Sequence, residues 1–350
     1  MRWFVKVTKS NYVSENNGKE HIVTLALGYQ LSQVLFAALH MDIFNLLDRG
    51  EMDSPALASA LQSDRNSVRR LVNVLVDIGL VEYRNNCYHN TPAASRYLVK
   101  GKSGYLGNFV QHASNLWHVW DGLETQVKTG CGKEPEQGYL DAFPERLKDY
   151  LAAMGDCAAS KVHIIADALP IGDFRDMLDI GCGPGTYAIA FAESNPDLTA
   201  TLIDLEPNLV YAREQISNSS ARERIRTCTC QVLEDAIPGG GYDLVFISNL
   251  IHIYSEEEVE QIVAKAWDAL APSGTLAVHD YILPDQGQGR FMASLFDLTM
   301  LVGTPRGRCY SFDEVKALFM TLGAHSIRQI PVDLGSSLVV GKKECSEKNS

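Results

Sequence analysis

The stretch 177-MLDIGCGPGTYAIAFAESNPDLTATLIDLEP-207 decides the fold. An apolar run leads into three glycines at alternate positions. A helical stretch follows, and then a second apolar run that ends in an acid. Short apolar runs bounded by glycine read as buried strands, and the segment between them as a crossover helix. Gly181, Gly183 and Gly185 fall where the first strand turns into that helix. Glycine there permits positive φ and lets the backbone approach a ligand. Asp204 closes the second strand, 19 positions after Gly185. A carboxylate at that point can accept from the 2′- and 3′-hydroxyls of a ribose, so the unit reads as a nucleoside holder.

The spacing narrows the choice of nucleoside. A dinucleotide fingerprint, GxGxxG, needs its third glycine where Thr186 stands. GCGPG is tighter, and Asp179 precedes it. A carboxylate just before the loop attracts a cation and repels a pyrophosphate. A sulfonium with an amino-acid tail suits that field, and NAD does not.

Outward from this stretch the pattern alternates. Strands are predicted over Asp176–Ile180, 200–203, 226–232, 244–247 and 275–278, with helices between and a closing hairpin over 327–343. That is an α/β Rossmann-like domain with a mainly parallel sheet and an antiparallel last strand. Upstream, 22–50 has the three- and four-residue apolar spacing of a helix pair. A short helix from Ser54, a turn at Ser63 and Asp64, a longer helix over 65–78, and a hairpin turning at 84–86 follow. That order makes a mostly α winged helix. The predicted division is a flexible lead-in (1–20), a winged-helix domain (21–105), a helical connector (106–165) and the nucleoside-binding domain (166–345). In the connector, Trp117, Trp120, Leu123 and Val127 are expected on one side of a helix. There they form either a core wall or an aromatic pocket.

Composition excludes some partners. The chain has 350 residues, room for about two domains. Its 31 Lys and Arg against 43 Asp and Glu give a net charge of −12. Phosphate neutralisation needs a basic surface, so neither general nucleic-acid binding nor membrane-surface binding is expected. Residues 1–110 carry 12 basic and 9 acidic side chains. Arg65, Arg69 and Arg70 lie on the helix that reads DNA in some winged helices, but the hairpin adds only Arg84 and two asparagines. Packing against a second subunit is the plainer role. No unbroken apolar run approaches the roughly 18 residues of a membrane span. Eight scattered cysteines form no CxxC pair, and Cys228 and Cys230 have no His or Cys cluster beside them. No metal site is expected, and reduced thiols fit a cytoplasmic protein.

Further motifs stand in a specific order: TPAASRYL, LWHVWDGLETQVKTG, DIGCGPG, SNLIHIYSEEE, YILP and FDLTMLVGTPRGR. In that order, from about residue 25 to 342, the chain resembles the class I S-adenosylmethionine-dependent small-molecule O-methyltransferases of the acetylserotonin, caffeate and bacterial polyketide type. The resemblance implies a homodimer whose amino-terminal domain helps close the partner's site. It implies S-adenosylmethionine as cofactor, with Gly181, Gly183, Gly185 and Asp179 at the methionine tail and Asp204 and Leu205 at the ribose. The family's adenine-binding Gly-Asp pair falls on Cys230 and Gln231, so Gln231 and Val232 would meet the adenine. Ser248 and Asn249 would border the sulfonium. The family's catalytic His, in HDWSDE, matches His252 of HIYSEEE. One of the two acids that orient it matches Asp280, a methylene shorter, and the other falls on Cys309. The substrate candidates are Trp117, Met154, Phe291, Phe296, Met300 and Arg306. The expected activity is methyl transfer to a hydroxyl of a small aromatic metabolite, in secondary metabolism. A carbon or nitrogen acceptor is the alternative, and a DNA-binding regulator with the cofactor as effector is a reading from another class.

Overall fold

A computed structural model describes residues 18–130, 144–284, 290–333 and 335–345. The predicted lead-in therefore lies outside the described residues except at 18–20. The chain divides into two compact units between Leu116 and Trp117.

The first unit runs α1 (Lys19–His40), α2 (Ile43–Arg49), α3 (Ser54–Ala60), α4 (Arg65–Asp77), β1 (Val81–Arg84), β2 (Cys87–Asn90), α5 (Pro92–Tyr97) and α6 (Gly107–Asn115). Local chemistry sets these bounds. Asp53 accepts from the Ala56 N–H at the start of α3, and Asp64 from the Ser67 N–H at the start of α4, each at 2.8 Å. Such caps satisfy N–H groups that a first helical turn leaves unpaired. Asn85 and Asn86, at φ 53° and 62°, turn β1 into the antiparallel β2. Asparagine tolerates that left-handed conformation, which suits a two-residue hairpin turn. Leu57, Val68, Val72, Leu75 and Val81 are buried.

Two expectations meet the structure here. The 106–165 stretch is not one connector, because α6 packs on α1 within the first unit while Trp117 onward belongs to the second. And α1 is long and apolar enough to cross a membrane, although polar residues interrupt its apolar run. Only Phe36 and Ala38 of α1 are buried.

The second unit begins with α7 (Trp117–Trp120), α8 (Leu123–Thr129), α9 (Pro144–Ala159) and α10 (Val162–Ala168). The alternating part is β3 (Asp176–Ile180), α11 (Thr186–Ser194), β4 (Thr199–Asp204), α12 (Glu206–Ser217), β5 (Ile225–Thr229), β6 (Tyr242–Ser248), α13 (Glu256–Ala269) and β7 (Leu270–Leu283). It closes with α14 (Arg290–Gly303), β8 (Tyr310–Ser311), α15 (Phe312–Thr321), β9 (His325–Pro331) and β10 (Ser336–Lys342). The strand order is β5-β4-β3-β6-β7-β10-β9, with β8 beside β7. Pairings are parallel from β5 to β7, and β10 is antiparallel to both β7 and β9.

Alternation along the strands fills two cores. Met177, Phe246 and Ala277 join Phe191 and Leu338 on one face, while Leu178, Val245 and Val278 join Ile262 and Val339 on the other. Strands buried on both faces read as continuous apolar runs, which is why they were legible. Three details differ from the prediction. The third strand stops at Thr229: the Cys230 N–H makes the last ladder bond, to the Asp204 carbonyl, and the Gln231 carbonyl then opens a turn. The fifth strand is much longer than 275–278. And 117–129 is two helices broken at Asp121 and Gly122, which leaves Val127 exposed rather than aligned with the tryptophans.

Candidate active site

Gly181, Gly183 and Gly185 all take positive φ at the carboxyl end of β3. A Cβ on Gly181 would stand 2.7 Å from the Leu250 side chain, and one on Gly185 2.9 Å from Leu202. The loop is tight enough to require glycine at both. The Gly183 N–H donates to Asp204 Oδ2, while the Leu205 N–H and Asn208 Nδ2 donate to Oδ1, each at 2.7 Å. Asn208 was not foreseen; a polar residue one helical turn past a strand-end acid is the signal for it. A carboxylate offers about four acceptor sites, so three donors leave room for a ribose hydroxyl.

Asp179 is buried behind this loop. Burial, and then the negative charge of Asp204, push its pKa up to about 8. Burial also raises Asp204 against its three hydrogen bonds. Two neighbouring acids whose pKa values are raised in this way suit a cationic ligand. The residues present thus fit a sulfonium nucleoside.

The remaining cofactor candidates lie at neighbouring strand ends. Val232 is buried and Gln231 half-buried just after β5. Ser248 ends β6, and Asn249 follows at φ 51° with its N–H on the His279 carbonyl. Asn249 Nδ2 donates to Ser248 Oγ at 3.2 Å.

His252 sits in a single 3-10 turn, Ile251–Ile253, directly beyond that end. Its Nδ1 lies 2.6 Å from Asp280 Oδ1, and both residues are buried. Asp280 Oδ1 also accepts the Tyr281 N–H, while Oδ2 has no hydrogen-bond partner among the described residues. A carboxylate at this distance accepts from Nδ1–H, and a neutral imidazole held in that way presents Nε2 as its acceptor. Cys309 is buried, and its N–H bonds Asp297 Oδ1 at 2.7 Å. Burial, then Asp280 and Asp297, push its thiol far up. A neutral thiol cannot supply the second negative charge, so among the described residues Asp280 is the one carboxylate bonded to the imidazole.

Phe296 lies perpendicular to His252, with centroids 4.8 Å apart, and stacks on Tyr281 at 3.8 Å. Tyr281 escaped the sequence reading, and its position beside Asp280 at a strand's carboxyl end was the available signal. Phe296 and the buried Met300 share α14, which packs on α7, the helix of Trp117, and on α8. Met154 is half-buried on α9, where the next residue, Gly155, lies beside Pro184 and Thr186 of the glycine loop. Phe291 is 44% exposed at the start of α14. Arg306 departs from expectation. Its side chain is 68% exposed and its guanidinium pairs with Glu258 at 2.8 Å, so its charge is already committed at the surface. His279 is fully buried on the opposite side of β7 from Asp280, and burial lowers its pKa to about 3.

The connections of β3 and β6 leave in opposite directions, and the crevice at such a switch point is where these sheets take a nucleoside. With antiparallel β10 inserted between β7 and β9, the arrangement is the methyltransferase form of the nucleotide-binding α/β fold. Comparison with known proteins narrows the class. Residues 138–325 match the family model of the O-methyltransferase domain, and residues 23–100 match the O-methyltransferase dimerisation domain. The chain belongs to the S-adenosylmethionine-dependent O-methyltransferase family. It is 26% identical to the tetracenomycin polyketide synthesis 8-O-methyl transferase TcmO of Streptomyces glaucescens over 93% of this chain and 97% of that one. It is 28% identical to the 3-hydroxy-5-methyl-1-naphthoate 3-O-methyltransferase of Streptomyces sahachiroi, over 88% and 90%. The fold matches human N-acetylserotonin methyltransferase, solved in complex with SAM, at a TM-score of 0.85 and 20% identity over 95% and 100% of the two chains.

Proposed function

We propose that the protein transfers a methyl group from S-adenosylmethionine to a hydroxyl of a small aromatic molecule in secondary metabolism, and that His252 takes the hydroxyl proton. The observation that carries this is the buried His252–Asp280 bond beside the aromatic wall of Phe296 and Tyr281. Asp280 holds the imidazole so that Nε2 stays available to a proton. Asp204 and Leu205 hold the ribose, Gln231 and Val232 the adenine, and Asp179 with the three loop glycines the methionine tail. Ser248 and Asn249 border the sulfonium. When bound, the cofactor supplies an already activated methyl, so alignment of the acceptor contributes much of the rate. Trp117, Met154, Phe291, Phe296 and Met300 are the acceptor-side candidates. The relatives named for polyketide and naphthoate substrates support an aromatic acceptor of that kind.

The first unit, with the helix order of a winged helix, is proposed to form the homodimer contact rather than to read DNA. A cytoplasmic location is supported by the free thiols of Cys87, Cys157, Cys182, Cys228, Cys230, Cys309 and Cys345. A screen of phenols, amines and carbon acceptors with methyl-labelled S-adenosylmethionine tests the activity. Label on the oxygen of an aromatic hydroxyl is expected; label on nitrogen or carbon alone overturns the hydroxyl assignment.

A further inference from the structure

Lys161 is an ammonium buried beside the site without belonging to it. It is 7% exposed, at the start of α10. Its Nζ lies 3.1 Å from Asp333 Oδ2 and 5.3 Å from the centre of the Tyr281 ring. Burying an ammonium is costly unless it is paired, so both contacts need an account.

One arm runs through the rings. Lys161 faces Tyr281, Tyr281 stacks on Phe296, and Phe296 meets His252 at right angles. The other arm runs through hydrogen bonds. Ser336 Oγ donates to Asp333 Oδ1 at 2.6 Å. That hydroxyl's one proton is then committed, so its oxygen can only accept from His279 Nε2, 3.1 Å away. His279 is neutral in its buried setting, which leaves Nδ1 as an acceptor. Ser248 must therefore donate to Nδ1, at 2.9 Å. The order of protons is set from the Asp333 carboxylate to Ser248, whose oxygen keeps its lone pairs for other partners. One of these partners is Asn249 Nδ2. A hydroxyl that points its proton inward and its lone pairs outward suits a neighbouring cation.

We propose that Lys161 is a positioning residue for methyl transfer: with Asp333 it fixes the Ser336–His279–Ser248 relay on the cofactor side, and through Tyr281 and Phe296 it steadies His252 on the acceptor side. The assignment rests on the functional reading above, because only there do Ser248 and His252 flank the reacting atoms. Lys161 acts on both through other side chains.

Nitrogen NMR of the His279 imidazole and steady-state kinetics test it on the full-length protein. Wild type is expected to hold His279 as the Nε2–H tautomer. Lys161→Met, which keeps the apolar stem, is expected to lower kcat on the order of tenfold by loosening alignment, with cofactor affinity by calorimetry within about threefold. In Asp333→Asn the amide can donate to Ser336, which frees the Ser336 proton for His279 Nε2. The tautomer is then expected to move toward Nδ1–H and turnover to fall. A wild-type His279 in the Nδ1–H form, or a Lys161→Met enzyme within about twofold of wild-type kcat, overturns the proposal. If Lys161→Met does not fold, Asp333→Asn decides, and an unchanged tautomer overturns the relay. The tautomer needs no acceptor substrate. Failure of wild type to methylate any oxygen therefore counts against the functional reading and not against the relay.

Discussion

Asp280 Oδ1 accepts from both His252 and the Tyr281 N–H, and that pair of hydrogen bonds predicts how the two catalytic candidates respond to substitution. His252→Gln removes the Nε2 lone pair and is expected to lower kcat roughly 10²–10⁴-fold, with cofactor affinity nearly unchanged. In Asp280→Asn the amide oxygen can take the Oδ1 place and keep both bonds, while the NH₂ occupies the site of the unpartnered Oδ2. Orientation then survives and only the charge is lost, so a smaller fall is expected. Running both variants on phenols of low and high acidity checks the assignment; a large His252→Gln loss independent of acidity marks a steric role. Asp179 gives a pH test. Its folded pKa, about 8, lies above the ordinary aspartate value of 3.8. Its contribution to stability without ligand is therefore fully present below about 4 and is lost as pH rises through about 8. A cationic ligand favours the ionised acid, so binding should release a proton and tighten with pH up to about 8. Calorimetry in buffers of different ionisation enthalpy reads that proton, and uptake or no exchange would remove Asp179 from the cofactor's field. Asp179 was legible because it stands just before the glycine loop, and Asp280 because it falls on a family motif. Lys161 was not, because its partner Asp333 lies far along the chain and no local spacing links them.

The turn from β3 into α11 carries the nucleoside loop, and its geometry is demanding. Gly185 is the N-cap of α11 in the left-handed region at φ 76°, with Leu202 against its face. Gly185→Ala adds strain on the order of 1–2 kcal/mol from the backbone conformation alone, and the added methyl must also displace Leu202. A lower thermal midpoint together with weaker cofactor binding is expected. Unchanged calorimetry would mean that the loop relaxes freely. Strands β3, β4 and β6 were readable as apolar runs because both faces are covered. The break between α7 and α8 was not, because Asp121 and Gly122 interrupt a run whose apolar spacing continues through Val127. The pairing of Arg306 with Glu258 was equally hidden, since a helix-spaced acid and a loop arginine share no periodic pattern.

For the molecule as a whole, α1 is the feature that a single chain leaves unexplained. Ile22, Leu25 and Tyr29 are 68%, 56% and 54% exposed on one apolar helix. A large exposed apolar face on a protein of net charge −12 needs a partner. The match to a dimerisation domain over 23–100 makes a second copy the proposed partner. Acidic, basic and histidine side chains on α1 are confined to its ends, at Lys19, Glu20, His21 and His40. Such a contact gains little from ion pairs, while two chains of like charge repel at long range. Salt should then strengthen the dimer, since screening weakens the repulsion and leaves apolar burial intact. Light scattering or sedimentation of the full chain at about 50 mM and 500 mM salt, on either side of the point where the Debye length falls below about 10 Å, should show tighter association at the higher value. Ile22→Glu with Leu25→Glu should shift it to monomer, and turnover should fall with the dimer if the partner helps close the site. A chain that stays monomeric in both salts, or floats with lipid vesicles through α1, would assign that helix to another partner.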